Sequence, residues 1–589
     1  MKTKIFSSLA FLGILTSGFA DPQLTSWFTA DSGRYARIYT NTASENSGSY
    51  VTTWSNGTET QSLPAYSGVQ EIDYSSNWIY IRSTGLGFHI MGPWYLNAAK
   101  TTIFPNYPVN TKTFTRIPRT TTLTNALSET NATGLGAIGC FVDGVAMYNS
   151  WDAFYWNGTT NVSGGSDTGY YWRRDAYVNE GVTFDPGNAH QDQSGTYHYH
   201  ANPPALRYLL GDEVSYNATT DAYTETPTNL HHSPILAWVN DGYPLYGPYG
   251  YSNATNANSG IRRMVSGYAL RNGQNGTDNL ASTGRTTIPA WATRLFVVSS
   301  NQSGPSVTAQ PLGTYMEDND YLGDVGKTQG VDFDLDEHNG RYCVTPEFPN
   351  GTYAYFVSIA SDGTPVFPYN IGGGYYGDPT GGTVSSLTET VVTNYLGGPN
   401  AALQLSKPSV NANNTVTLVW SAVQGGTYEV EASTNLTSWT NKVANIIAQG
   451  NTAQTNFSGN GQHEFYAAIM TNLASYDPVT NSSSSSGGSG GISSVSPTAH
   501  ARGSSFVLTI NLNPNANPAP PPVNAPINSV TIGSNSGTSL THVSQTEVQA
   551  TFNLSGATGA QTVTVVFPGP MGMPQNTVTY TLTNGFTVQ

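Results

Sequence analysis

The sequence predicts a mostly β protein made of several domains. Its 589 residues correspond to about four domains of ordinary size. Runs of β-branched and aromatic residues recur, for example at residues 78–81, 415–420 and 561–567, and Gly, Asn or Pro turns bound them. Amphipathic windows of helical period are scarce. We expect a large β-rich module with an internal repeat, followed by two small β-sandwich domains.

The composition excludes several classes of protein. Aromatic residues make up 12% of the chain, which is too many for a wholly disordered protein. The formal net charge is −15, whereas binding to nucleic acid or to an anionic membrane requires a basic face. We therefore expect no nucleic-acid partner.

The first twenty residues have the pattern of a signal peptide. Lys2 and Lys4 supply positive charge, residues 6–19 form a short apolar core, and small residues end it at Ala20. No other stretch reaches the roughly 18 apolar residues of a membrane span. The pattern predicts a secreted, extracellular or periplasmic protein without a transmembrane segment.

An internal repeat marks the large module, which we place at residues 21–380. Residues 141–148 (FVDGVAMY) are echoed by residues 238–246 (WVNDGYPLY), and residues 195–200 (GTYHYH) by residues 351–356 (GTYAYF). Each half is thus an Asp-Gly hairpin followed by a Gly-Thr-Tyr-x-Tyr strand. Because the first half alone keeps a histidine pair, we expect one site rather than two.

The histidine pair itself indicates a metal site. On a strand, His198 and His200 share one face, and Tyr197 and Tyr199 point to the other. His190 lies eight residues upstream, across a polar turn that can return it to the same face. The alternative is a histidine pair on a solvated strand face.

Two further patterns suggest ion binding and cross-linking. Asp332, Asp334 and Asp336 have the alternate spacing of a calcium loop, although the sequence departs from the EF-hand pattern and a solvated acidic loop is the alternative. Cys140 and Cys343 are the two cysteines, and in an oxidising compartment we expect them to form a disulfide rather than to remain buried and free.

The C-terminal third contains two smaller β units. Residues 401–476 look like the fibronectin-type accessory domains of bacterial surface proteins. A Ser/Gly linker at residues 479–491, with NSSSSSGGSGG at 481–491, follows as a flexible tether. Residues 492–589 have the short, evenly spaced strands of an immunoglobulin-like sandwich, and their opening ISSVSPTAHARGSSFVLTI resembles IPT/TIG-like modules.

Long motifs carry a resemblance to the YHYH-domain proteins. These motifs are GTYHYH, HHSPILAWVNDGYPLYGPYG from residue 231, DLDEHNGRYCVTPEFPNGTYAYF from residue 334, and an entry segment at residues 87–110. The resemblance covers residues 21–378. It implies a ligand set of His89, His190, His198, His200 and His232. The family has no settled biochemical activity, so its name does not supply a function.

Residues around these motifs are candidates for supporting or alternative roles. His231 is the alternative to His232, and Asp143 or Asp241 could serve as a base or orient a ligand, although Asp-Gly is foremost a hairpin turn. The remaining candidates are Tyr197, Tyr199 and His338.

Three functions remain open from the sequence. The first is a secreted metal-binding protein whose C-terminal domains attach it to a cell surface or an extracellular polymer. The second is a copper or zinc metalloenzyme of oxidoreductase or hydrolase type. The third is adhesion to carbohydrate through exposed Trp and Tyr. Imidazole ligands favour copper or zinc, and the acidic loop leaves calcium possible.

Overall fold

The structure is a computed structural model of the chain. It describes residues 21–123, 127–164, 171–411, 413–460, 464–479, 492–497, 499–503, 505–512, 521–523, 525–555, 559–568 and 577–588. The predicted signal peptide, and the predicted linker apart from residue 479, lie outside these residues. The chain divides into a first unit, Met1–Asp477, and a second unit, Pro478–Gln589.

The fold is mostly β, as the sequence predicts, with 39% of the described residues in strands and 9% in helices. Within the described ranges, no helix combines the length and apolar character needed to cross a bilayer. The α-helices are α1 (Pro22–Thr25), α2 (Thr42–Ser47), α3 (Ala176–Glu180), α4 (Pro204–Leu209), α5 (Leu280–Thr283) and α6 (Ala290–Phe296).

The strands of the first unit up to residue 396 are short. They are β1 (Arg37–Ile38), β2 (Trp54–Asn56), β3 (Glu59–Gln61), β4 (Val69–Tyr74), β5 (Trp78–Ser83), β6 (Ile90–Met91), β7 (Thr113–Pro118), β8 (Gly139–Phe141), β9 (Ala146–Met147), β10 (Trp151–Trp156), β11 (Asn161–Ser163), β12 (Arg173–Asp175), β13 (Ala189–Gln191), β14 (Tyr197–Tyr199), β15 (Val214–Asn217), β16 (Ala222–Glu225), β17 (Ile235–Val239), β18 (Pro244–Tyr246), β19 (Tyr249–Tyr251), β20 (Ile261–Arg263), β21 (Tyr268–Leu270), β22 (Asn319–Tyr321), β23 (Gly340–Cys343), β24 (Thr352–Phe356), β25 (Gly382–Thr383) and β26 (Val392–Leu396).

The predicted repeat forms one eight-stranded sheet with internal two-fold symmetry. Its strand order is β13-β14-β9-β8-β17-β18-β24-β23. The two Asp-Gly hairpins, β8–β9 and β17–β18, meet in the middle, where β8 and β17 pair antiparallel. On each side a Gly-Thr-Tyr-x-Tyr strand pairs parallel with its hairpin, β14 with β9 and β24 with β18. An antiparallel strand then closes each edge.

The Asp-Gly turns are buried, and each binds the tyrosine of its own half. Asp143 accepts a hydrogen bond from the Tyr199 hydroxyl at 3.2 Å, and Asp241 accepts one from the Tyr355 hydroxyl at 2.6 Å. The glycine of the first turn, Gly144, has φ +85°, and a Cβ there would meet the Ser83 side chain at 2.2 Å. Glycine is therefore required by both conformation and space.

A second repeated element is the turn before each edge strand. Asp185 and Asp336 each accept backbone N–H groups from the following residues, and each turn places an asparagine, Asn188 or Asn339, in the left-handed region at φ 63° and 66°. Each aspartate also binds the first tyrosine of the neighbouring strand, Tyr197 Oη to Asp185 Oδ2 at 2.7 Å and Tyr353 Oη to Asp336 Oδ1 at 2.8 Å.

The predicted calcium loop does not form, because its three carboxylates have separate partners. Asp332 accepts the Thr328 amide at 2.8 Å. Asp334 forms an ion pair with Arg262, with 2.6 Å between Nη2 and Oδ1. Asp336 is the repeated turn residue. The alternate aspartates therefore reflect turn chemistry and an ion pair rather than one shared cation.

The predicted disulfide is also absent, since Cys140 and Cys343 are both buried and free. Cys140 lies on β8 near the sheet centre, and Cys343 lies on the edge strand β23. Four strand spacings separate these strands, about 19 Å, whereas a disulfide requires Cα atoms within about 7 Å. Burial raises the pKa of both thiols.

Residues 401–476 form a smaller body within the first unit. Its strands are β27 (Ser409–Val410), β28 (Thr415–Ser421), β29 (Gly426–Ser433), β30 (Thr440–Ile447), β31 (Thr452–Ser458) and β32 (Phe465–Leu473). They form two three-stranded sheets, β27-β28-β31 and β30-β29-β32, around Trp420 and Val430. Val423 packs with Tyr35 and Tyr66 of the large module.

The second unit has its own core and two sheets. Its strands are β33 (Ile492–Ser496), β34 (Ala499–His500), β35 (Ser505–Leu512), β36 (Ser529–Ile532), β37 (Asn535–Ser536), β38 (Thr538–Ser544), β39 (Glu547–Asn553), β40 (Gly559–Pro568) and β41 (Thr577–Val588). The sheet orders are β33-β35-β39-β38 and β34-β41-β40-β36-β37. Leu508, Ile510 and Leu512 are buried, and the polar residues Thr509 and Asn511 alternate with them.

Removal of the Tyr355 hydroxyl should destabilise the first unit. Tyr355→Phe leaves the buried Asp241 carboxylate with one donor fewer, so we expect a loss of about 1–2 kcal/mol. Urea unfolding followed by tryptophan fluorescence measures this loss. Tyr342→Phe is the control, since Tyr342 is 62% exposed. Equal stability of the two variants would contradict the expectation.

Candidate metal centre

Three histidines meet on one face of the hairpin formed by β13 and β14. His190 on β13 lies directly opposite His198 on β14, and His200 follows two residues later on the same face. The intervening turn is held by Asp192, whose Oδ1 accepts the amides of Ser194 at 2.8 Å and of residue 196 at 3.0 Å. The hairpin return expected from the sequence is thus present.

The imidazole nitrogens of these three residues converge. His198 Nε2 and His200 Nε2 lie 3.0 Å apart. One ligand atom from each of the three histidines lies within 4.8 Å of the others, and all three side chains are buried. Among the described residues, no other region of the fold brings together ligand atoms of three His, Cys, Asp or Glu side chains so closely.

Each imidazole is oriented through its other nitrogen. His198 Nδ1 lies 2.8 Å from the Thr196 carbonyl oxygen, and His200 Nδ1 lies 2.7 Å from the Asn149 carbonyl oxygen. His190 Nδ1 lies 2.7 Å from the Thr183 hydroxyl, which itself donates to the Glu180 carbonyl at 2.7 Å. Carbonyl oxygens only accept, and the Thr183 proton is already used, so each Nδ1 carries the proton.

This tautomer leaves a lone pair on every Nε2. Two lone pairs facing each other across 3.0 Å, as in His198 and His200, repel unless a proton or a cation lies between them. Orientation of the ring through a hydrogen-bonded Nδ1 is also the usual arrangement of metal-binding histidines. The cluster therefore has the nitrogen donors and the ring orientation of a cation site, and a positive charge between the facing Nε2 atoms would relieve their repulsion.

Burial keeps the three imidazoles neutral. It lowers the pKa of His198 to about 4 and that of His200 to about 3, and the neighbouring His198 lowers the latter further. Burial, followed by His198 and His200, lowers the pKa of His190 well below its usual value. Neutral imidazole is the form that binds a metal.

Aromatic rings enclose the cluster. The Tyr148 ring stacks on His198 with 3.9 Å between centroids and a 14° angle, and its hydroxyl donates to Asp192 Oδ2 at 2.9 Å. The rings of Phe184 and His190 form a T-shaped contact with 4.8 Å between their centroids, and the Phe104 centroid lies 5.7 Å from that of His190. These rings limit the access of water and fix the imidazole planes.

Sequence reasoning missed Glu180, Thr183 and Asn149. Glu180 ends α3, and its Oε2 lies 3.4 Å from His200 Nε2 and 3.6 Å from His190 Nε2. Burial, with a smaller contribution from Asp152, raises the pKa of the Glu180 carboxyl to about 8. No spacing rule links these residues to the histidine pair, because tertiary contacts bring them there.

His89 does not join the cluster, so its expected place among the five histidine ligands is wrong. Its Nε2 lies 3.1 Å from the Tyr197 hydroxyl and 3.9 Å from Asp185 Oδ2. Tyr197 points to the face of β14 opposite His198, because side chains alternate along a strand. His89 therefore belongs to the polar network on the other side of the sheet.

His232 lies in the second half of the sheet, so it is also outside the cluster. Its ring packs 5.0 Å from those of Tyr246 and Tyr251. Tyr246 is on β18, four strand spacings or about 19 Å from β14. Burial lowers the pKa of His232 to about 4, and its Nε2 has no hydrogen-bond partner.

The other histidine candidates have separate partners. His231 is half-exposed and pairs with Glu213, with 2.9 Å between Nδ1 and Oε1. His338 is buried in the turn before β23, where its Nδ1 lies 3.0 Å from the Gly374 carbonyl oxygen. Neither residue approaches the three-histidine cluster.

The aspartate and tyrosine candidates are likewise on the other face of the sheet. Tyr197 and Tyr199 donate to Asp185 and Asp143, and Asp241 binds Tyr355. Burial raises the pKa of Asp143 to about 6. These aspartates therefore organise the core and do not reach the cluster as a base.

Comparison with known proteins finds one family model that matches part of the chain. Residues 114–371 match the family model described as YHYH protein. This stretch contains the eight-stranded sheet, the three histidines and Glu180, and the match supports a YHYH domain in this part of the chain. No curated protein matches the chain.

One similar solved structure is invasin, described as a bacterial integrin-binding protein. The sequences are 16% identical, the similarity covers 32% of this chain and 39% of that chain, and the TM-score is 0.11. The chain therefore spans well under half of invasin. A TM-score this low carries no argument about fold or function.

Loss of the Thr183 hydroxyl should weaken metal binding. Thr183→Ala removes the acceptor for His190 Nδ1 and frees that ring to rotate, so we expect affinity for zinc to fall about tenfold or more. Competition with a chromophoric chelator measures the change. Thr183→Ser keeps the hydroxyl and should bind like the unmodified protein; equal affinities of all three proteins would oppose this role.

The metal-free protein should lose stability in acid through the buried imidazoles. Their folded-state pKa values are lowered, so between pH 6.5 and about 4 the unfolded state binds protons that the folded state excludes. Each such group therefore costs about 1.4 kcal/mol per pH unit as pH falls in that window. Between pH 7 and 5, His198→Gln should lose about 2 kcal/mol less than the unmodified chain in chelator-treated urea titrations. An identical pH dependence would refute this.

Proposed function

We propose that the YHYH domain binds one transition-metal ion through Nε2 of His190, His198 and His200. The observation that carries this proposal is the convergence of three lone pairs whose Nδ1 protons are all committed to oxygen acceptors. A hydrogen-bonded core of histidines would instead pair a donor of one ring with an acceptor of the next.

Zinc and copper are the ions that suit the site best. Imidazole nitrogen is a good ligand for both ions, whereas calcium and magnesium require oxygen ligands. The two cysteines lie elsewhere in the sheet, so a thiolate-type structural zinc site is not supported.

We propose that this secreted or periplasmic protein binds the ion rather than catalysing a reaction with it. The C-terminal β domains, which are fibronectin-like and IPT/TIG-like by sequence, would attach the chain to a cell surface or an extracellular polymer. His190, His198 and His200 are only 5%, 2% and 3% exposed. Such burial favours the retention of an ion over the entry and exit of substrates. The alternative metalloenzyme would also use three histidines, with water at an open position.

The aromatic residues give little support to the carbohydrate-binding alternative. Eight of the tryptophans are buried, and Trp78, Trp156 and Trp439 are partly buried. Sugar stacking requires an accessible aromatic face, whereas these rings build the β cores.

Elemental analysis of the zinc- or copper-loaded mature protein tests the proposal. We expect one ion per chain, and we expect its loss in His198→Ala/His200→Ala and in His190→Ala, because each removes at least one of three ligands. His89→Ala and His231→Gln are the controls and should retain the ion. Undiminished metal in the cluster variants would overturn the assignment, and thermal melts show whether each variant is folded.

A further inference from the structure

Glu180 faces two Nε2 atoms of the histidine cluster at distances longer than those of an ordinary hydrogen bond. Its Oε2 lies 3.4 Å from His200 Nε2 and 3.6 Å from His190 Nε2. Both nitrogens carry lone pairs in the tautomer set by their Nδ1 contacts. A carboxylate oxygen in front of two lone pairs is unfavourable unless a cation or a proton lies between them.

The spacing of these atoms fits a tetrahedral ion. Ligand atoms about 2.05 Å from a tetrahedral zinc lie about 3.3 Å from one another. The measured separations of 3.0 Å for His198 and His200, and of 3.4 and 3.6 Å to Glu180, bracket this value. Glu180 Oε2 therefore lies at about the distance from two of the imidazole nitrogens that two ligands of one such ion would have.

The segment that carries Glu180 is anchored at both ends. Asp175 caps α3 by accepting the Val178 amide at 3.0 Å, and Tyr369 donates to the same carboxylate at 2.7 Å. Three residues after Glu180, Thr183 contacts His190 Nδ1. One short segment thus positions both the carboxylate and one of the imidazoles, so the two are set together before an ion arrives.

We propose that Glu180 Oε2 is the fourth ligand of the site, and that the site is built for a divalent ion such as zinc rather than for Cu(I). This inference rests on the proposed function. A carboxylate is a hard oxygen donor and adds negative charge, which favours a divalent ion of borderline softness. Soft, monovalent Cu(I) gains little from that oxygen and is satisfied by the imidazoles.

The test is Glu180→Gln, which keeps the size of the side chain and removes its charge. Binding of Zn(II), Co(II) and Cu(I) to the full chain is measured by competition with chelators, and the Co(II) absorption spectrum reports the donor set. We expect affinity for Zn(II) and Co(II) to fall about tenfold or more, with a changed Co(II) spectrum. Cu(I) affinity should stay within about twofold.

Glu317→Gln is the matched control. Glu317 is fully buried and burial raises its pKa to about 8, like that of Glu180, but its Oε2 accepts the Arg173 amide at 2.8 Å. This variant should bind all three ions as the unmodified chain does. Thermal melts confirm that both variants are folded.

The outcomes separate this inference from the proposed function. Tight binding by the unmodified chain with unchanged Zn(II) affinity and Co(II) spectrum in Glu180→Gln overturns the fourth ligand and leaves the three-histidine site. Equal loss of Zn(II) and Cu(I) in a folded Glu180→Gln overturns the preference for a divalent ion. Absence of binding of any of the three ions by the unmodified chain overturns both.

Discussion

The alternation of side chains along β14 is the constraint on which the site depends. Tyr197 and Tyr199 point into the sheet core and donate to two buried aspartates, and this fixes the strand. His198 and His200 are thereby directed to the opposite face, where His190 joins them across the hairpin. A shift of register by one residue would exchange the two sets, so the Asp–Tyr hydrogen bonds also hold the imidazoles in place.

The two-fold sheet explains why a single site exists in a duplicated architecture. The second half keeps the Asp-Gly turn, the Asp–Tyr hydrogen bonds and the asparagine turn of the first half. At the positions that correspond to the three histidines by strand register it carries Arg341, Ala354 and Phe356. The elements that stabilise the sheet are thus repeated, and the residues that contact an ion are not.

The failed expectations were inferred from residue type and spacing, which do not fix tertiary contacts. The disulfide and the ligand roles of His89 and His232 need side chains from distant segments to meet, and the sheet separates these side chains by strand order or by face. The calcium loop fails because each of its carboxylates has its own partner. Asp336, for example, has calcium-like spacing but serves a local turn and a cross-strand tyrosine.

Local sequence was sufficient for the β class, the repeated hairpins and the shared face of His198 and His200, because strand alternation and Asp-Gly turns act over a few residues. It also indicated the return of His190, since a polar turn of short length joins two strands. Tertiary structure alone decided that Glu180, Thr183 and Asn149 surround these imidazoles. Those contacts depend on how α3 and the loop after β9 pack onto the hairpin. Such long-range contacts produce no periodic pattern in a single sequence.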